Sequence, residues 1–269
     1  MEISFEYILA GLTILLVLAS TQIFMYMMMM QRLTALEQES GYTVAEEILD
    51  MILLSPGYPP DWGRNLSEYP VSFGLAEYNA IRAYVLDPYK VARLLEDSTG
   101  YILPPEARAL MGLRSSFHFS LRIRPIFNIT VEDKGGGIFL FTVLNSKGYL
   151  APNVNVTAYY VPTSIVPGTE YPKRSNITSI DGKCSLDFSG VTGQVLVVQA
   201  EEMEARVIVN YPSEYNFVIE SGEVFESDTF LVTELEYSTG SVVGIGKESA
   251  SRVVEIGGLT YIVEFDLWG

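Results

Sequence analysis

The chain has 269 residues, with 17 Lys and Arg against 33 Asp and Glu and a formal charge of −16. Such an excess of carboxylates repels phosphate backbones and excludes nucleic acid as a partner. One histidine (His118) and one cysteine (Cys184) leave no His/Cys zinc site, no intramolecular disulfide and no Cys–Cys redox pair. A composition 48% hydrophobic and only 19% charged excludes disorder and supplies one large domain or two modest ones.

In chain order, the first element is the run Tyr7–Met30, 24 residues without a charge. At ~1.5 Å per residue it makes about 36 Å of helix, enough to cross a bilayer with some tilt. It reads as a retained anchor rather than a cleaved signal, because its apolar stretch is too long and no A-x-A site follows Met30. Glu2 and Glu6 precede the run, and Arg32 is the only cation close behind it. By the positive-inside rule that lone arginine favours a cytoplasmic C-terminal bulk; the sequons described below favour the opposite side. Beyond Met30, Leu33, Leu36, Val44, Ile48, Met51 and Ile52 recur mostly at three- and four-residue steps. They predict an amphipathic continuation to residue 54, with Glu46, Glu47 and Asp50 on its wet faces. Pro56 and the run SPGYPPDWG stop it. This stalk is either a simple spacer or a packing helix in a filament or membrane complex.

The start SFEYILAG, with Glu6 at the head of an uncharged helix, resembles the assembly helix of archaeal type IV pilin-like proteins. The segment LLSPGYPPDWG (Leu53–Gly63) is similar to a stretch that follows the anchor in many archaeal surface proteins. The resemblance covers about 60 residues. It implies that Glu6 pairs with the N-terminal amine of a neighbouring subunit; the residues alone equally allow Glu6 to sit at the lipid headgroups beside Tyr7. For assembly through this helix, Glu6, Gly11 and Gln22 are the candidate residues: a charge needing a cation, a small residue allowing close approach, and an amide able to bond across helices.

Residues 55–116 read as a turn-rich segment with two short helices. One is capped by Asp87 before Pro88 and runs toward Gly100; the other opens at Pro104-Pro105-Glu106 and closes at Gly112. From Phe117 the period becomes two, and strands are expected at 117–123, 126–131, 138–144, 154–161, 184–188, 195–200 and 206–209, with Gly-bearing turns between them. Seven short strands over 117–211 argue for an immunoglobulin-like β-sandwich. The order of FTVLNSKGYLAPNVNVTAYYV, NITSIDGKCSLDF and GQVLVVQAEE resembles carboxypeptidase-regulatory-like surface modules. Residues 212–269 add strands at 230–237, 242–245, 253–256 and 261–265, the last two joined by Gly257-Gly258. They either extend the sandwich or form a second sheet on the short helices. The whole is an α+β chain: anchor and stalk helix (1–54), short-helix segment (55–116), antiparallel sandwich (117–211) and C-terminal strands (212–269).

Candidate chemistry is sparse. His118 lies on the polar side of its strand, and Cys184 reads as a small buried hydrophobe without a base beside it. Glu201, Glu202 and Glu204, and Asp228, Glu234 and Glu236, form acidic faces with no D-x-D-x-D-G loop, so a solvated surface outweighs a calcium or glycosidase site. Tyr159-Tyr160, Tyr211 and Tyr215 are candidates for a sugar or protein contact. Asn65, Asn128, Asn155 and Asn176 head Asn-x-Ser/Thr sequons, four of nine asparagines, and mark exposed sites of glycosylation outside the cell. The expectation is a non-enzymatic, single-pass cell-surface protein without a cofactor, its partners being membrane lipid and other protein subunits. The alternatives are a membrane-tethered hydrolase or glycan- or peptide-binding protein, and an auxiliary subunit of a membrane enzyme.

Overall fold

The computed structural model describes residues 20–28, 44–67, 69–166, 168–227, 233–240 and 246–269. Strands hold 41% of the chain and helices 14%, so the protein is mostly β, with several sheets. It divides into two compact units, residues 1–45 and 46–269. In the first, residues 20–28 are helical.

A helix over 44–54 (α1) leads into the second unit. It buries Leu49, Ile52 and Leu53 at the three- and four-residue steps of one helix face. After the turn-rich segment come β1 (Val85–Leu86), α2 (Pro88–Ala92) and α3 (Pro104–Leu110). Asp87 caps α2 as its residue type predicts, its carboxylate accepting from the Tyr89 N–H at 2.9 Å. The helix stops at Ala92 rather than running toward Gly100: the N–H groups of Leu94, Leu95 and Ser98 bond back three residues, to Val91, Ala92 and Leu95, in a series of turns that the Arg93 side chain spans to the carbonyl of Gly100.

Strands β3 (Phe127–Asp133), β4 (Ile138–Asn145) and β7 (Lys183–Asp187) form one antiparallel sheet; β5 (Asn155–Val161), β6 (Lys173–Ile177), β8 (Val195–Glu202) and β9 (Ala205–Tyr211) form another, in the order β6-β5-β8-β9. The inward residues of both sheets share one core, built around Phe141, Val143, Val156, Ala158, Leu196 and Val198. Each sheet alone would leave one face wet, and stacking the two removes both apolar faces from water. The expected strands match β3, β4, β5, β7, β8 and β9 to within a residue or two. The exposed and polar β6 has no apolar alternation and no counterpart among the expected strands.

A hairpin of β10 (Phe217–Glu220) and β11 (Glu223–Glu226) turns at Ser221 and Gly222, both with positive φ. It roofs the outer face of the four-stranded sheet. The Asn210 amide donates to the carbonyl of Phe217 at 3.1 Å, and the Tyr159 hydroxyl to that of Gly222 at 3.0 Å. Phe217, Ile219 and Val224 are buried there along with Val197 and Ile208 of the sheet. At about 1.5–3 kcal/mol for each fully buried side chain, this roof explains why β8 is apolar on both faces.

The remaining strands, β2 (His118–Pro125), β12 (Leu235–Ser238), β13 (Glu248–Ile256) and β14 (Leu259–Trp268), join β1 in a five-stranded sheet ordered β1-β13-β14-β2-β12. Of the C-terminal strands, β12, β13 and β14 therefore lie in a further sheet while β10 and β11 pack on the four-stranded one, and Gly257-Gly258 turns β13 into β14 as the sequence predicts. Strand β2, grouped by its position with the sandwich, belongs here instead. Its partners β14 and β12 lie more than a hundred residues downstream, where local alternation carries no information about pairing. The inner face meets the 55–116 segment: Tyr237 donates to the carbonyl of Ile102 at 2.8 Å and stands edge-on to Tyr101. Of the expected strand at 230–237, β12 covers the end; the one at 242–245 lies outside the described residues.

Candidate functional site

The strongest polar constellation joins α1 to the five-stranded sheet. Glu46 and Asp50 stand one helical turn apart, and both reach Arg252 of β13. The Arg252 guanidinium donates to both oxygens of Asp50 at 3.0 Å, and its third nitrogen lies 3.5 Å from Glu46. Tyr84 adds a hydroxyl donor to Asp50 at 3.1 Å. These bonds hold the guanidinium above its ordinary pKa, Asp50 contributing most. The parallel donor pair fixes orientation as well as distance. It fastens residues 46–54 to the sheet at a side-chain fork rather than by apolar contact alone.

Beside it, the LLSPGYPPDWG segment wraps two buried cations. Trp62 is fully buried, its indole N–H shared between the carbonyls of Pro56 (3.2 Å) and Gly74 (3.1 Å). Lys90, also fully buried, donates to the carbonyls of Pro56 at 2.8 Å and Ala76 at 2.7 Å. Arg93 donates to Gly100 at 2.7 Å and to the carbonyl of Trp62. Burial lowers the pKa of Lys90, while the charge of Asp87 works against that shift. Gly74 is required here because a Cβ would fall 2.3 Å from the carbonyl oxygen of Ser55. This arrangement satisfies orphaned turn carbonyls with charged donors; it holds a shape.

The residues with hydrolytic potential do not form a relay. His118 and Ser120 share a face of β2, and Asp266 stands opposite Ser120 on β14. The His118 ring faces Thr239 at 3.4 Å and stacks on Trp268. Asp266 instead accepts from Ser249 at 2.6 Å and pairs with Lys247 at 2.9 Å. Cys184 is buried in the sandwich core, and burial pushes its thiol up to about 11, the reverse of an activated nucleophile. Tyr159 and Tyr160 point to opposite faces, as neighbours on a strand must: Tyr159 lies under the hairpin and Tyr160 packs against Phe139 and Phe188. Tyr215 stacks on Phe217. Glu236 lies 3.8 Å from Arg122, while Asp228 lies outside the described residues. Among the described residues, no group of three or more His, Cys, Asp or Glu could hold a metal ion.

Of the assembly candidates, Glu6 and Gly11 lie outside the described residues. Gln22 is exposed in the helix over 20–28, where Ile23, Phe24, Met25, Tyr26, Met27 and Met28 are each 47–72% exposed. Among the described residues, no helix is long and apolar enough to cross a membrane. Asn128, Asn155 and Asn176 are exposed and Asn65 is half-buried.

Sequence reasoning misses Arg252 and Lys90. Both sit in patterns of ordinary strand and helix composition; the only signal is an isolated cation at a position whose parity or helical spacing points inward. No family model matches the chain, and no curated protein or solved structure matches it.

Proposed function

We propose that the chain is a non-enzymatic, membrane-anchored cell-surface protein, a pilin-like or envelope-complex subunit that assembles through its N-terminal helix. In this reading residues 1–54 form an anchor and stalk helix, and the two-sheet body with its shared core is an immunoglobulin-like module carried outside the cell. The observation that carries the reading is the helix over 20–28. Six successive large apolar side chains cover every side of it, and all are exposed. A helix apolar all round is stable only when lipid or other subunits surround it. The clamp of Asp50 and Glu46 on Arg252 adds support, since it would transmit a pull along the stalk directly into the sheet.

Protease added to intact cells tests the placement. The reading requires residues 55–269 to be removed from intact cells, leaving a short membrane-bound stump. Protection until lysis would place the body on the inner side and end the proposal.

A further inference from the structure

The four sequons are alike in sequence but differ in what the fold leaves free. In the sequon of Asn176, the threonine Thr178 is 2% exposed; its hydroxyl donates to the Ala151 carbonyl at 2.7 Å and accepts from the Val154 N–H at 2.9 Å. The Asn176 amide itself donates to the Ser185 carbonyl at 3.1 Å. In the sequon of Asn155, Thr157 is 8% exposed and bonded to the Ser175 hydroxyl at 2.8 Å. Asn65 is half-buried, its side-chain oxygen accepting from the Ser67 N–H at 3.3 Å.

Asn128 is different. On β3, Asn128 and Thr130 are both exposed and, two residues apart on a strand, face the same way. Strand β3 is an edge of the three-stranded sheet. Across from the pair lie Leu144 and Thr142 of β4, with Leu140 opposite Glu132, all three β4 residues half-buried. Their face is the outer one of its sheet, and among the described residues no hairpin roofs it as β10 and β11 roof the other.

We infer that, of the three sequons borne on strands, Asn128 is the one at which the folded protein takes an N-linked glycan, and that the glycan lies over the outer face of the β3-β4-β7 sheet, across Leu140 and Leu144. The donor is a lipid-linked glycosyl phosphate. The Asn128 Nδ2 forms a bond to the anomeric carbon, the bond from that carbon to the phosphate oxygen breaks, and the phosphate leaves with its electron pair. The amide gives up one proton to the transferase. Asn155 and Asn176 react only before the sandwich closes, because recognition of an Asn-x-Thr unit needs the threonine hydroxyl, which the closed fold holds in internal bonds. The inference rests on the outside placement proposed above only for where the modification occurs.

The test uses the full chain in detergent, native or unfolded in urea and diluted, given a lipid-linked oligosaccharide and an oligosaccharyltransferase. Site occupancy is read by mass spectrometry of the peptides. On the native chain, Asn128 reacts at least about tenfold faster than Asn155 or Asn176, whose reaction waits on local opening. On the unfolded chain that preference disappears. Asn128→Gln and, separately, Thr130→Ala abolish the native-state product on the strand-borne sequons; both positions are exposed, and unchanged melting curves confirm the fold. Equal native rates at Asn155 or Asn176, or a native chain left unmodified at Asn128 while the unfolded chain reacts there, overturns the inference. If the in vitro preference holds but protease added to intact cells leaves residues 55–269 untouched until lysis, the reactivity of Asn128 stands and the outside placement falls.

Discussion

Asp50 and Arg252, 202 positions apart in the chain, meet through two parallel hydrogen bonds of 3.0 Å. With side chains 33% and 26% exposed, the pair is partly screened, so its coupling should fall between that of a surface ion pair and a buried one. A double-mutant cycle of Asp50→Ala and Arg252→Ala, followed by urea unfolding, should return about 1–2 kcal/mol of coupling. A value indistinguishable from zero would mean that the fork adds nothing to the burial of Leu49, Ile52 and Leu53 in holding α1.

The Cys184 thiol predicts a pH dependence. An unfolded thiol ionises near 9, whereas the folded one keeps its proton until about 11. Between those values the folded state binds more protons, so stability present below pH 9 is lost as the pH rises to 11, by on the order of 2 kcal/mol. Burial raises Tyr237 and Tyr101 as well, and the charge of Glu96 adds to the effect at Tyr101, which extends the loss to higher pH. Cys184→Ala should flatten the stability curve between pH 9 and 11, at a cost of about 1 kcal/mol at neutral pH for the small cavity left in the core. Urea unfolding across that range checks it, and an unchanged slope in the variant would assign the alkaline loss to the tyrosines.

How much of this was legible in the sequence follows from the range of each interaction. The Asp87 cap, the Gly257-Gly258 turn and the alternation of β3, β4 and β7 are local, and each reads directly from neighbouring residues. The pairing of β2 with β14, and the meeting of Arg252 with Asp50, depend on residues far apart in the chain, and no spacing rule reaches them. The hairpin of β10 and β11 left a faint signal: Phe217 and Ile219 alternate, Val224 follows, and Ser221-Gly222 stands between them. At the sequons, the pattern names four asparagines, but only the fold separates Thr130, which is exposed, from Thr178, which is buried and bonded.

Lys90 gives a third test. Lys90→Met keeps most of the side-chain volume but leaves the carbonyls of Pro56 and Ala76 without their donor. The expected loss is about 3 kcal/mol, from two buried acceptors left unpaired. Lys90→Arg should not restore it, because a planar guanidinium does not fit a site shaped for a compact ammonium. Melting temperatures of the two variants decide the matter; a methionine variant as stable as the parent would show that water reaches these carbonyls.

In the proposed function the N-terminal helix, and not the β-rich body, brings the protein into its assembly. The direct measurement is the mass of the particle extracted in mild detergent from cells making the parent chain, Glu6→Gln or Gln22→Leu. Glu6→Gln removes the charge that would pair with a neighbouring amine, and Gln22→Leu removes an amide able to bond across helices, worth about 1 kcal/mol or less. Smaller particles are expected for both variants, with the glutamate change having the larger effect. Particles of the parent's size in both variants would contradict assembly through this helix and leave it as a tether alone.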